Sequence, residues 1–367
     1  MNDTIRYLKI ANYRSIDVLE LHDIQAFSVF AGPNGCGKSN FFEALDFVNL
    51  VIRFGADEAL KQHGGFENIR CWRRHDETEA RTFEFAIEFS TKNADCNCYQ
   101  LKIHQLDNSP RLEEKHQWVD EEGKTWITRR EAGQPIQLKE NIFNFPFNLS
   151  LLLLSNETPI SQFLKNIRLY RIDPLEARRP VKNTDTSELS HNGRNLAAVL
   201  HRLEKEDEIA EMIDEWVNMI VPSLEKVYAD FDRLEGRIRL AFQEQGLEKH
   251  LPAHLISDGT INLLAILVSL FDRPLPFGLT LIEEPEGGLH PHAMIELADT
   301  FREIATLSSP LWVTTHNEAL VRVLKNNELW LTDKKTETKM KAIRKYDASE
   351  LPLDQAWLCN VLNGGLP

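Results

Sequence analysis

The run Gly32-Pro33-Asn34-Gly35-Cys36-Gly37-Lys38-Ser39 constrains this chain more than any other segment. It matches G-x-x-x-x-G-K-[ST], the Walker A pattern of phosphate-binding loops. Phe27 to Ala31, just before it, is a short apolar run. Asn40 to Phe54, just after it, carries Phe41, Phe42, Leu45, Val48 and Leu50 at helical spacing. Strand, glycine loop and helix is the order that phosphate chemistry requires. Small residues let successive backbone N–H groups converge on an anion, where side chains would block the approach. The helix N-terminus adds orphan N–H groups and a favourable dipole. Lys38 would reach the terminal phosphates as a point charge. Ser39 would offer its hydroxyl to Mg2+, and Asn34 an amide to the γ-phosphate. The expected ATP contacts are therefore Gly32, Asn34, Gly35, Cys36, Gly37, Lys38, Ser39 and Asn40.

A second segment points to the same chemistry. Leu279-Thr280-Leu281-Ile282-Glu283-Glu284-Pro285-Glu286 is an apolar run closed by carboxylates. A buried strand ending in acids delivers them to the C-terminal edge of a parallel sheet, where α/β folds bind ligands. Glu283 is the expected Mg2+ partner, directly or through water. Glu284 would polarise the attacking water. Val313-Thr314-Thr315-His316 is another strand with a polar end, and His316 would sense the γ-phosphate or hold the water.

The bulk properties are those of a water-borne protein. A length of 367 residues allows two domains, or one large domain with an inserted lobe. The net charge of -14 argues against whole-molecule attraction to nucleic acid. Local basic groups remain: Lys165 to Lys182, Arg70 with Arg73 and Arg74, and Lys334 to Lys345. Cys96 and Cys98 form a C-x-C without a second pair, so a zinc site is not expected. An odd total of five cysteines suits a reducing compartment. The opening MNDTIRYLKI is polar and mixed, unlike a signal peptide. Leu149 to Leu154 and Leu263 to Phe271 fall far short of the roughly 20 residues that span a bilayer. The expectation is a cytoplasmic protein without membrane contact.

Along the chain, Ile5 to Ile16 reads as one opening strand. Thr82 to Phe89 and Tyr99 to Gln105 alternate as strands do, and Trp118 to Trp126 carries a turn at its middle. This region is expected to be an antiparallel sheet, with 131 to 160 less periodic. Residues 192 to 219 read as helical, with the acidic stretch Glu204 to Glu215 on the solvated side. Arg233 to Phe242 reads as a strand. Then follow helix Thr260 to Leu270, strand Leu279 to Glu283, helix His292 to Ala305 and strand Leu311 to Thr315. Strands and helices alternate at both ends of the chain, which predicts one α/β core with an insertion. No heptad run is long enough for a coiled-coil arm. The expected segments are 1–80, core with the glycine loop; 81–175, a β-rich lobe and insertion; 176–250, helices and a strand; and 251–367, the rest of the core.

In order, Walker A, Leu255-Ile256-Ser257-Asp258-Gly259-Thr260, LTLIEEPEGGLHP and VTTHN together resemble the ABC-type ATPases of the RecF and SMC kind. Within them the chain is most similar to stand-alone bacterial ATPases with an SDGT loop. Asn12-Tyr13-Arg14-Ser15, Asp173-Pro174 and Asn192-Gly193-Arg194-Asn195-Leu196 extend the likeness over nearly the whole chain. The resemblance implies an ATPase head with an antiparallel lobe and a helical insertion, using ATP and Mg2+. It implies that Ser257, Asp258 and Gly259 form a signature loop that touches the γ-phosphate of a second subunit, in an ATP-sandwiched homodimer. By the same likeness Glu284 is the catalytic glutamate, His316 the switch histidine, and Gly288-Leu289-His290 the D-loop. The signature reads SDGT rather than SGGQ, and Glu283 stands where an aspartate is usual. The Q-loop glutamine is unplaced among Gln62, Gln100 and Gln105. The stretch after His316 is too short for the Toprim nuclease domain of related nucleases. The expected output is anti-phage defence with a partner effector, a nuclease or toxin. The alternative is DNA repair or chromosome maintenance by direct DNA binding, and a transporter ATPase suits the SDGT loop and the large insertion least.

Overall fold

A computed structural model describes residues 4–72, 81–90, 97–106, 109–120, 122–138, 141–154, 158–185, 188–272, 277–344, 346 and 351–364. Its centre is a six-stranded sheet in the order Ile167–Tyr170, Leu279–Glu283, Leu311–Thr315, Phe27–Ala31, Leu329–Lys334, Thr338–Ala342. The first five strands are parallel, and the last is antiparallel to its neighbour. FSVFA, LTLIE and LWVTT are buried at every residue. Parallel strands covered on both faces read as continuous apolar runs, which is why these three were legible.

Alternate residues of this sheet feed two cores. Val29, Ala31, Ile282 and Val313 pack with helices Leu196–Leu203, Asp258–Phe271 and Ala293–Ile304. Phe30, Leu281, Trp312 and Trp330 pack with helix Lys38–Phe54 and the antiparallel lobe. Phe41 stacks on Trp312 there, with ring centroids 6.1 Å apart.

The lobe is an eight-stranded antiparallel sheet. It runs Ile16–His22, Thr4–Tyr13, Thr82–Ser90, Asn97–Leu106, Ser109–Val119, Thr125–Arg130, Ile136–Leu138, Asn141–Phe143. It thus draws strands from both sides of residue 80. Inside it, Glu114 and Arg130 form a fully buried ion pair. Glu114 also accepts from Tyr99 Oη and Ser150 Oγ, both at 2.6 Å, so the buried carboxylate is satisfied. A third, smaller sheet joins Val181–Lys182, Arg237–Glu244, Leu224–Asp232 and Leu251–Pro252.

Several expectations need correction. The opening strand is a hairpin, Thr4–Tyr13 and Ile16–His22, because the chain reverses at Arg14-Ser15. Asn12 and Arg14 adopt left-handed φ of 59° and 47° there. Asn12 is buried and anchors the corner, donating to Thr82 O at 2.8 Å and accepting from Cys71 N at 2.7 Å. The helical region at 192 to 219 is two helices, Leu196–Leu203 and Asp207–Ile220. Arg233 to Phe242 begins in a turn, and the strand runs from Arg237 to Glu244. Cys96, Arg73, Arg74 and Lys345 lie outside the described residues. No helix among the described residues is long and apolar enough to cross a membrane.

The acidic stretch is not wholly on the solvated side. Glu204 is half-buried and accepts from Ala229 N at 2.9 Å, while Asp214 accepts from Val227 N at 2.9 Å. Burial pushes the Glu204 carboxyl up from 4.5 to about 7. A raised carboxyl pKa favours the protonated folded form, so this contribution is full below 4.5 and is lost as pH rises through about 7. Glu204→Gln keeps the acceptor for Ala229 without the charge. It is expected to raise the melting temperature at pH 8 and leave it unchanged at pH 4. Equal shifts at both pH values would show that Glu204 does not titrate in this window.

Candidate nucleotide site

The glycine loop leaves the buried strand Phe27–Ala31 and enters the helix Lys38–Phe54, as the pattern requires. Gly37 caps that helix with φ 101°. A Cβ on Gly37 would lie 2.0 Å from Thr338 Oγ1 and 2.8 Å from Ser15 Oγ, so space as well as conformation demands glycine. Thr338 and Ser15 share a 2.7 Å hydrogen bond, and Thr338 Oγ1 donates to Cys36 O at 3.1 Å. The hairpin corner and the edge strand therefore brace the loop from behind. Asn40 Nδ2 donates to Ser15 Oγ at 2.6 Å, so its side chain belongs to this brace. Lys38 is buried and donates to Gly32 O at 2.7 Å and Pro33 O at 3.0 Å. The Cys36 thiol is buried too, and burial pushes its pKa up. Asn34 and Gly35 are exposed at the loop apex, on a cavity of about 540 Å³ shared with Asp333, Lys334, Asn360 and Asn363.

The acids stand at the end of Leu279–Glu283, separated from the glycine-loop strand by Leu311–Thr315. Glu283 is buried, and its Oε1 has no hydrogen-bond partner among the described residues. Burial pushes its carboxyl up; Arg171 and a hydrogen bond with Ser39 oppose the shift. A buried carboxylate with a spare oxygen beside the Ser39 hydroxyl is a donor set that fits Mg2+, which takes one or two protein oxygens and leaves the rest to phosphate and water. No group of three or more His, Cys, Asp or Glu among the described residues is arranged to hold a metal by itself.

Glu284 takes a left-handed φ of 47°, unusual for a residue with a side chain, and donates its N–H to Thr314 O at 3.0 Å. Oε1 of its half-exposed carboxylate lies 3.3 Å from His316 Nδ1, just beyond the end of Leu311–Thr315. Glu286, to which no role was given from sequence, is buried behind this pair. Its Oε1 accepts from Thr315 Oγ1 at 2.5 Å and His316 N at 3.3 Å, tying the acidic turn to the end of Leu311–Thr315.

Ser257 and Asp258 are exposed at the start of helix Asp258–Phe271, and Ser257 caps it by accepting from Thr260 N at 3.2 Å. The helix start is pressed on the acidic turn of its own chain. A Cβ on Gly259 would meet Gly288 O at 2.1 Å, and Asn262 Nδ2 donates to Pro285 O at 3.0 Å. Asp258 pairs with Arg178, which offsets its charge. Asp258, Glu283, Glu284 and Arg171 line one cavity of about 240 Å³. Gln62 lies on helix Ala56–Gln62, and Gln100 and Gln105 on lobe strand Asn97–Leu106; none of them lines this cavity.

A family model described as "AAA domain, putative AbiEii toxin, Type IV TA system" matches residues 27–322. The chromosome partition protein Smc of Methanocaldococcus jannaschii is 24% identical over 238 residues, which is 65% of this chain and 19% of that protein. The DNA replication and repair protein RecF of Corynebacterium jeikeium is 39% identical over 59 residues, 16% of this chain and 14% of that protein. The chain thus spans less than a fifth of the length of either relative. An Smc head bound to the C-winged-helix domain of ScpA superposes with a TM-score of 0.57 at 15% identity, covering 95% of this chain and all of that one. An Smc head from Pyrococcus furiosus, with an extended coiled coil and the C-terminal domain of ScpA, gives 0.52 at 14% identity, covering 98% of this chain and 99% of that one. These likenesses establish the fold.

Proposed function

Because this chain belongs to the AAA-domain family described as putative AbiEii toxin, Type IV TA system, and has the SMC/RecF-like ABC-type ATPase fold, we propose that it is a nucleotide-driven dimer switch that hydrolyses ATP. One observation carries this reading. The glycine loop, the Glu283-Glu284 pair and His316 end three adjacent parallel strands, while Ser257 and Asp258 face solvent. A site completed by a second copy needs that division between a loaded half and a presented half.

The residues then divide the work. The loop N–H groups and Lys38 bind the phosphates, and Ser39 with Glu283 would hold Mg2+, which neutralises phosphate charge when bound. Glu284 accepts a proton from the attacking water, and His316 holds the carboxylate in place. Ser257, Asp258 and Gly259 approach the γ-phosphate bound to the other copy, with Arg178 offsetting the Asp258 charge.

For the output we favour control of a separate effector protein, a nuclease or a toxin. The net charge of -14 and the family description support it. The second reading, direct DNA binding in repair or chromosome maintenance, draws on Arg179, Lys182, Arg194 and Arg237, which surround a cavity of about 680 Å³. One experiment bears on both. Specific ATPase activity measured against protein concentration is expected to rise as the dimer forms; a constant value would overturn the composite site. Adding duplex DNA should change nothing on the effector reading. DNA stimulation at about 50 mM salt that vanishes by about 200 mM would favour the second.

A further inference from the structure

Arg171 follows strand Ile167–Tyr170, which runs parallel to Leu279–Glu283 with Tyr170 opposite Ile282. That register sets Arg171 beside Glu283 at the ligand-binding edge of the sheet. Its Nε lies 3.8 Å from Glu283 Oε2; the arginine side chain is 68% exposed and the glutamate 6%. The backbone under it is fixed, since Arg171 N donates to His191 O at 2.9 Å. The guanidinium therefore reaches in from solvent over a buried carboxylate. Lys38, the other cation near this carboxylate, has its ammonium bonded to Gly32 O and Pro33 O. Among the described residues Arg171 is the ion-pair partner of Glu283.

We infer that Arg171 is a positioning residue, a built-in counter-ion that stands in for the divalent cation at Glu283 until nucleotide and metal arrive together. This rests on reading the loop as the Mg2+–ATP site. Two effects follow from elementary electrostatics. Without metal, Arg171 offsets the repulsion between the carboxylates and an incoming triphosphate. With metal, Arg171 competes for the same carboxylate and lowers the metal's advantage. Both make nucleotide binding less dependent on Mg2+. By linkage, the factor by which Mg2+ tightens the nucleotide equals the factor by which the nucleotide tightens Mg2+, so one quantity can be measured from either side.

The experiment titrates a fluorescent ATP analogue into the full chain, once with MgCl2 and once with EDTA. The readout is the ratio of the Kd without metal to the Kd with it. Exposed ion pairs are weak, so the expected rise in this ratio for Arg171→Ala is about three- to fivefold. Arg171→Lys, which keeps the charge, should stay near wild type. A ratio in Arg171→Ala equal to wild type overturns the inference. So does loss of Mg2+–nucleotide binding in that variant, which would make Arg171 a direct nucleotide ligand. Lys38→Ala in the same assay separates the premise, because binding retained there would overturn the loop reading itself.

Discussion

Glu284→Gln is expected to slow ATP hydrolysis by about 100- to 1,000-fold while leaving nucleotide affinity near wild type. The amide is isosteric, so the left-handed turn at Glu284 and the Glu284 N–H bond to Thr314 O should persist. What disappears is the negative charge that pairs with His316 Nδ1 3.3 Å away and that we propose draws a proton from water. Glu286 is the nearest other carboxyl: it is buried, its Oε1 bonds Thr315 Oγ1 and His316 N and lies 3.9 Å from His316 Nδ1, and Glu286→Gln serves as the control that separates the two acids. Single-turnover hydrolysis separates the chemical step from release. A Glu284→Gln rate within about threefold of wild type would assign the base elsewhere.

Lys38→Ala carries the second large effect. Each charge-assisted contact to phosphate contributes on the order of 1.5–3 kcal/mol, so losing the ammonium should weaken nucleotide binding by about tenfold at least and about a hundredfold at the upper end. The protein without nucleotide is affected as well, since Gly32 O and Pro33 O both accept from Lys38 Nζ. Lys38→Arg is not expected to rescue. The planar guanidinium fork cannot replace a compact ammonium in a buried position with two carbonyls fixed around it. Calorimetric titration with Mg2+ and ATP reads both variants. Wild-type affinity in Lys38→Ala would remove the glycine loop from the site.

The legible parts of this molecule share one property: their signal is local. FSVFA, LTLIE and LWVTT announce buried parallel strands because every residue in them is apolar or a small hydroxyl, apart from the acid that ends LTLIE. The glycine loop announces itself through spacing. Strand Ile167–Tyr170 carries an arginine that pairs with Glu188, and Thr338–Ala342 alternates lysines on a sheet edge; neither contrasts with a loop in sequence. The hairpin corner at Arg14-Ser15 was hidden because its turn is stabilised by Asn12 reaching Cys71 and Thr82.

The same division holds within the site. Lys38, Ser39, Glu283, Glu284 and His316 were named from motifs. Their supports were not, because they come from far along the chain. Thr338 braces the loop by bonding Ser15 and Cys36 O, more than three hundred residues away in either case. Arg178 reaches Asp258 from a different element, and Arg171 reaches Glu283 from just beyond the end of the next strand. Asn40 was expected at the nucleotide, yet its side chain joins the Ser15 brace. Spacing identifies the candidate phosphate contacts; it is silent on what holds them in place.

We propose that ATP is bound between two copies of this chain. The mass of Glu284→Gln in solution, measured by light scattering with and without Mg2+ and ATP, tests it most directly. The expected result is a monomer without nucleotide and a dimer with it. A monomeric mass at saturating Mg2+–ATP would mean that one copy holds the nucleotide alone.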